Sequence, residues 1–152
     1  MIYAFYAVLT VVGTALHVLI AKTPVIDTSL LYMLVVFVGV GGVMGFFVHA
    51  FRADWVAQYI GWPAGNPFQF EVACANLGKG VCGLLCIWLR DGFWLATAIA
   101  YSVFALGAAY GHIIEIKKKQ NYAPGNAGGA LYADILVPVV LGGLLLAKYF
   151  LQ

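Results

Sequence analysis

Long apolar stretches alternate with short polar segments along the whole chain. A membrane-spanning helix needs about 20 mostly apolar residues, because each residue advances the helix by about 1.5 Å. The pattern therefore predicts an all-α, polytopic transmembrane helix bundle of about five spanning helices. Because the remaining segments are short, we expect residues 1–152 to form a single helix-bundle domain. The five predicted helices are Ile2 to Ile20, Leu30 to Ala50, Phe68 to Leu89, Gly92 to Ile114 and Leu131 to Leu151.

The composition supports the same class of protein. Hydrophobic residues make up 64% of the chain and charged residues only 9%, whereas roughly a quarter of the residues in a soluble domain are charged. This balance excludes a water-soluble globule and a disordered chain. The formal charge is +2, and no basic stripe with interleaved aromatic residues is present, so nucleic acid is not an expected partner. The expected partner is a lipid bilayer, with membrane proteins or a second copy of the chain left open.

Five crossings would place the two termini on opposite sides of the membrane. The side that holds the N-terminus and the two long loops carries Arg52 and Lys117 to Lys119. The other side carries Lys22, Arg90 and Lys148. Because cytoplasmic loops are enriched in Lys and Arg, this distribution predicts a cytoplasmic N-terminus.

The same topology brings most of the ionisable residues to one membrane face. His112 and Glu115 are three residues apart, so they share a helix face, as in carboxylate-bridged dimetal bundles. Imidazole and carboxylate groups suit iron, manganese or zinc, and copper also accepts imidazole. Alternatively, these side chains only form interfacial ion pairs with nearby Lys and Arg. No catalytic residue can be singled out, and the candidate metal ligands are His49, Glu71, His112, Glu115 and Asp134.

Lys79 lies near the middle of the third predicted helix, where a charged group is costly unless it is paired or hydrated. Its flanking residues Gly78 and Gly80 allow another helix to approach, so we expect Lys79 to contact protein; snorkelling toward the membrane surface is the alternative. Pro138 lacks an N–H group and leaves the carbonyl of Asp134 free, which adds to the polar character of this region. The candidate residues for a small polar ligand are Glu71, Asn76, Lys79 and Asp134.

The three cysteines, Cys74, Cys82 and Cys86, all lie in the third predicted helix. An odd number in one apolar segment does not indicate a disulfide framework, and their redox state stays open. Cys82 and Cys86 are one helical turn apart and could bind a soft metal. Buried cysteines in membrane helices are more often small packing residues, and we favour that interpretation.

Two strings, GWPAGNPFQFEVACANLGKG and NYAPGNAGGALYADILVP, resemble a family of small prokaryotic polytopic membrane proteins known only as a domain of unknown function. The similarity runs from the second predicted helix through the fifth. The resemblance implies a stand-alone multi-helix domain in a prokaryotic inner (cytoplasmic) membrane. It carries no activity and no catalytic residue.

Three functions remain open at this stage, and the chain is not assigned as an enzyme. The first is a small membrane protein whose ionisable residues bind a metal ion or a small polar ligand, with a redox enzyme as one form of this function. The second is an accessory subunit of a larger membrane complex. The third is a proton or ion pathway that uses Glu71, Lys79 and Asp134, although five helices cannot form two equal inverted repeats.

The topology can be tested with single cysteines placed at Asp27 and Gln120 in a cysteine-free background. The two positions should react with a membrane-impermeant thiol reagent from opposite sides, because three predicted crossings lie between them. Labelling of both from one side would contradict the five crossings and the shared ionisable layer.

Overall fold

The apolar stretches fold into helices throughout residues 2–151, the part of the chain that the computed structural model describes. α2, a π-helical segment and α3 follow one another without a break and form one rod, Val25–Phe51. The elements are α1 (Ile2–Ala21), α2 (Val25–Tyr32), the π-helical segment (Met33–Val40), α3 (Gly41–Phe51), α4 (Ala53–Ile60), α5 (Phe68–Leu85), α6 (Gly92–Lys119), α7 (Pro124–Ala127) and α8 (Gly129–Leu151).

Within the described residues, four helical stretches are long and apolar enough to cross a membrane: Ile2–Ala21, Val25–Phe51, Gly92–Lys119 and Pro124–Leu151. The predicted all-α membrane bundle is confirmed, and the predicted number of about five spanning helices is close. The remaining predicted span contains α5, which has 18 residues and is less apolar because it carries Glu71, Asn76 and Lys79; it packs against α3 and the π-helical segment. It ends four residues before the predicted end at Leu89.

The closest packing in the bundle joins glycine backbones across the rod and α5. A methyl group added to Gly42 would lie 2.7 Å from the Cα atom of Gly80, and one added to Gly80 would lie 2.6 Å from the backbone nitrogen of Val43. One turn further along, a methyl group on Gly83 would collide with the backbone of Gly39. Small residues let membrane helices approach until their backbones touch, which gains van der Waals contact where lipid offers no hydrophobic driving force.

Two neighbouring stripes of small residues run along α5, and only one of them packs. Glu71, Cys74 and Gly78 lie on the first stripe, and all three residues are exposed. The adjacent stripe is buried because its glycines, Gly80 and Gly83, meet the glycines of the rod and allow a closer approach.

An apolar core lies between the rod, α6 and α8. Trp94 is its largest side chain, and its indole Nε1 donates a hydrogen bond to the carbonyl of Cys86 at 2.9 Å. Leu34 and Leu141 are fully enclosed beside it. Burial of this tryptophan without a polar penalty requires such a hydrogen-bond partner.

The glycine contact predicts opposite effects for two identical substitutions in α5. Gly80→Ala should destabilise the folded protein by about 1 to 3 kcal/mol, because the added methyl group overlaps the α3 backbone. Gly78→Ala should be neutral or stabilising by up to about 1 kcal/mol, since alanine is the better helix former and nothing lies within 4 Å of the added methyl group. Thermal unfolding of both variants in the same detergent measures the difference. Equal midpoints for the two variants would contradict the backbone contact.

Candidate functional site

The segment between α6 and α8 folds back onto α6 and buries the side chain of Asn126 completely. The Asn126 amide nitrogen Nδ2 donates hydrogen bonds to the carbonyl of His112 at 3.2 Å and to that of Asn121 at 2.9 Å. Because a carbonyl oxygen only accepts, these two bonds fix the orientation of the amide group. The Oδ1 atom of Asn126 therefore faces the His112 ring.

Asn126 also fixes the tautomer of His112. The distance from His112 Nδ1 to Asn126 Oδ1 is 2.7 Å, and since Oδ1 is an acceptor, Nδ1 must carry the proton. The second ring nitrogen, Nε2, faces Asp134 Oδ2 at 3.8 Å. His112 is only 7% exposed, whereas the Asp134 side chain is 22% exposed. The pair is therefore enclosed on the His112 side and partly open on the Asp134 side.

The backbone near Asp134 is also polar. Pro138 lies one helical turn further along α8 and has no N–H group, so it cannot donate to the Asp134 carbonyl as a helical residue would. Pro138 and the neighbouring residue Val137 are buried, which holds this part of α8 in the bundle. Asp134 thus presents both its carboxyl group and a free backbone carbonyl.

Lys79 approaches from α5, as expected for a lysine that contacts another helix. Its Nζ atom lies 2.8 Å from the centroid of the Phe104 ring on α6, a cation–π contact. The Asp134 carboxyl group is within electrostatic reach of Lys79, although no ion pair within 4 Å joins the two in residues 2–151. Tyr3 and Tyr101 are within electrostatic reach of Asp134 as well. We refer to His112, Asn126, Asp134, Lys79, Tyr3 and Tyr101 as the polar cluster.

The end of α4 covers the polar cluster on the loop side. Asn121 Nδ2 donates to the carbonyl of Ile60 at 3.0 Å and so ties this end to the loop after α6. A methyl group on Gly125 would lie 2.7 Å from the carbonyl oxygen of Tyr59, so glycine is required where α7 crosses α4. The Trp62 ring stands 6.1 Å from the His112 ring.

The structure separates most of the predicted metal ligands. His49 Nδ1 forms a hydrogen bond with Gln69 Oε1 at 2.7 Å, and Glu115 pairs with Lys119 at 2.8 Å. Glu71 is exposed. Of the five predicted ligands, only His112 and Asp134 come together. In the described part of the chain, no three His, Cys, Asp or Glu side chains lie where they could hold a metal ion.

The other candidate positions have local packing roles. The Asn76 side chain lies against Gly45, where a methyl group would be 3.2 Å from the amide carbon of Asn76. All three cysteines are free thiols: Cys74 is exposed, Cys82 is partly buried and Cys86 is buried. The cysteines therefore do not form a disulfide among themselves in this fold.

Sequence reasoning missed three members of the polar cluster, namely Asn126, Tyr3 and Tyr101. Asn126 lies in a Pro-Gly-Asn stretch that is typical of a turn, and only the folded-back loop shows that its amide meets His112. The two tyrosines lie in apolar stretches, where their aromatic rings count as hydrophobic. A signal for Tyr3 was available, since hydroxyl-bearing residues recur along the first predicted helix at helical spacing.

The helices and the polar cluster define a small membrane protein with a partly buried group of polar and ionisable residues between its helices. The chain belongs to DUF6790, a family of unknown function, whose family model matches residues 1–152. Neither a curated protein nor a solved structure matches the chain.

The hydrogen bonds of Asn126 predict a specific protonation pattern at His112. In protein labelled with ¹⁵N at histidine, Nδ1 of His112 should be protonated, and Asn126→Ala should remove this preference. The same variant should lose about 1 to 3 kcal/mol of stability, because the carbonyl groups of His112 and Asn121 lose this donor. The matched control is Asn66→Ala, which removes an exposed amide that only accepts from the Phe68 N–H group. An unprotonated Nδ1 in the wild type would contradict the assigned tautomer.

Proposed function

We propose that this membrane protein binds a proton between His112 and Asp134 and exchanges it with the membrane face on which α4 and α7 lie. The proposal depends on the orientation of the His112 ring between Asn126 and Asp134. Asn126 holds the protonated Nδ1 atom, so in neutral His112 the Nε2 lone pair faces the Asp134 carboxyl group. Two electron-rich groups in a buried site repel each other unless they share a cation.

A proton satisfies this arrangement with the groups present. It resides either on Asp134, which then donates to Nε2, or on Nε2, which then forms an imidazolium–carboxylate pair. The separation of 3.8 Å is longer than a direct hydrogen bond, and a small shift of the Asp134 side chain or one bridging water closes it. A metal ion requires more ligands than this pair supplies.

Lys79 makes the release of the proton less costly. An isolated carboxylate is expensive in a low-dielectric interior, and a nearby positive charge offsets part of that cost. The Lys79 ammonium group acts on Asp134 electrostatically but is held on the Phe104 ring rather than on the carboxylate. The Asp134 carboxyl group can therefore still form a hydrogen bond with His112, while the charge of Lys79 stabilises its ionised form. Within residues 2–151, Tyr3 and Tyr101 also interact electrostatically with Asp134.

Infrared difference spectroscopy of the purified protein, titrated over the accessible pH range, tests the proposal. The wild type should show the carbonyl stretching band of a buried protonated carboxyl group, and Asp134→Asn should lack it. Glu71→Gln is the matched control, because it removes an exposed carboxyl group and should keep the band.

The response of the band to a second substitution identifies the pair. His112→Gln should shift the pH at which the band disappears, because the imidazole that shares the proton is lost. Identical titrations of the wild type and Asp134→Asn would overturn the proposal.

A further inference from the structure

One face of α1 carries hydrogen-bonding side chains along most of its length. Tyr3, Tyr6, Thr10, Thr14 and His17 follow each other at intervals of three or four residues, which places them on the same side of the helix. At about 1.5 Å per residue, the row extends over about 21 Å from Tyr3 to His17, most of the thickness of a bilayer core. We call these five residues the α1 row.

The middle of the α1 row contains buried hydroxyl groups without partners. Thr10 is 7% exposed, and neither its hydroxyl group nor that of Thr14 has a hydrogen-bond partner among the described residues. A buried hydroxyl group without a hydrogen bond costs free energy, and threonines in helices normally bond to a carbonyl of the preceding turn. Unpartnered hydroxyl groups that are aligned in this way are typical of positions that bond to internal water.

The rod covers the α1 row from Tyr6 to His17, whereas Tyr3 is 38% exposed. The Tyr6 ring packs edge-on against Phe37 of the π-helical segment, at a centroid distance of 5.8 Å. Near the other end, Tyr32 lies against Gly13 and meets the His17 ring at 5.9 Å. From Tyr6 onward, the row therefore lies between α1 and the rod, with the Tyr32 hydroxyl as a further polar group at its far end.

The two ends of the α1 row are titratable groups near opposite ends of the bundle. The Tyr3 ring lies against Gly129 at the start of α8, the helix that carries Asp134, and Tyr3 is within electrostatic reach of Asp134. Tyr3 therefore belongs both to the α1 row and to the polar cluster. His17 lies one turn before α1 ends at Ala21 and has Tyr32 as its aromatic neighbour. The direct route from Asp134 along α8 is closed, because Val137 and Leu141 belong to the apolar core.

We propose that the α1 row conducts protons between the polar cluster and the opposite membrane face, so that the protein moves protons across the membrane. This inference rests on the proposed proton-binding function. A proton that leaves Asp134 adds to a lone pair of the Tyr3 hydroxyl while the original Tyr3 proton passes on. The same exchange repeats through Tyr6, Thr10 and Thr14, with water molecules bridging hydroxyl groups that are one helical turn apart.

His17 completes the transfer by accepting the proton on its unprotonated ring nitrogen and releasing the proton of the other nitrogen to the far face. A proton from the membrane face on which α4 and α7 lie then reprotonates Asp134. Only O–H and N–H bonds form and break, and every group returns to its starting charge. Reorientation of the hydroxyl groups and of the imidazole ring, with its change of tautomer, resets the row for the next proton. No oxidant, reductant or second substrate is required.

Proton flux into liposomes that contain the full chain tests this inference. A potassium gradient with valinomycin drives the flux, and a trapped pH-sensitive dye reports it. The wild type should exceed protein-free liposomes, and Thr10→Val combined with Thr14→Val should lower the protein-dependent flux by about tenfold, the effect of losing about one hydrogen bond on the path. Thr10→Ser combined with Thr14→Ser keeps the hydroxyl groups and should retain flux within about twofold of the wild type.

The matched control is Thr97→Val, which removes a buried hydroxyl group from α6 outside the α1 row and should leave the flux unchanged. Wild-type flux equal to that of protein-free liposomes would overturn the inference, as would full flux in the valine pair. Because the infrared band of Asp134 is measured without flux, its persistence in a non-conducting protein would leave the proton-binding proposal standing and remove only the pathway. Wild-type flux that persists in Asp134→Asn would also overturn the inference, because the row would then conduct without the polar cluster.

Discussion

The backbone contact between the rod and α5 sets the position of the polar cluster. Gly42 and Gly80 approach so closely that no side chain fits between them, and Gly39 and Gly83 repeat the contact one turn away. Lys79 immediately precedes Gly80, so helical geometry turns it about 100° away from this contact, toward Phe104 on α6. Any group that separated α5 from the rod would also carry the Lys79 ammonium away from Phe104 and Asp134.

The helices and the meeting of His112 with Asp134 could be predicted because both follow from hydropathy and the order of crossings. Which face of α5 packs against the rod could not be predicted, because two neighbouring stripes of small residues both recur at intervals of three or four residues. The stripe that contains Glu71 is exposed, and the stripe that contains Gly80 packs, because only the latter faces glycines on the rod. That choice depends on the partner helix, which a pattern in one segment does not contain.

The unpredicted parts of the site are neutral polar groups. Asn126 decides which nitrogen of His112 is protonated, yet it is placed by the loop that returns to α6 and by a tie between Asn121 and α4. Thr10 lies in a segment that is apolar overall, so the sequence does not mark this residue as part of a polar face. Charged residues stand out in an apolar sequence, whereas amides and hydroxyl groups gain significance only when the fold leaves them buried beside a charge or without a partner.

α8 connects the two electrically distinct ends of the bundle. Asp134 near its start belongs to the polar cluster, and Lys148 near its end pairs with Asp27 at the start of α2. Between them, α8 contributes Val137 and Leu141 to the apolar core. Along this helix, apolar side chains therefore separate the charged residues at the two ends. A buried charge is affordable only where a partner is close, and the described chain supplies partners at these two levels but not in the core. The proton path that we propose between the ends therefore follows α1, whose buried residues are Tyr6 and Thr10 rather than apolar side chains.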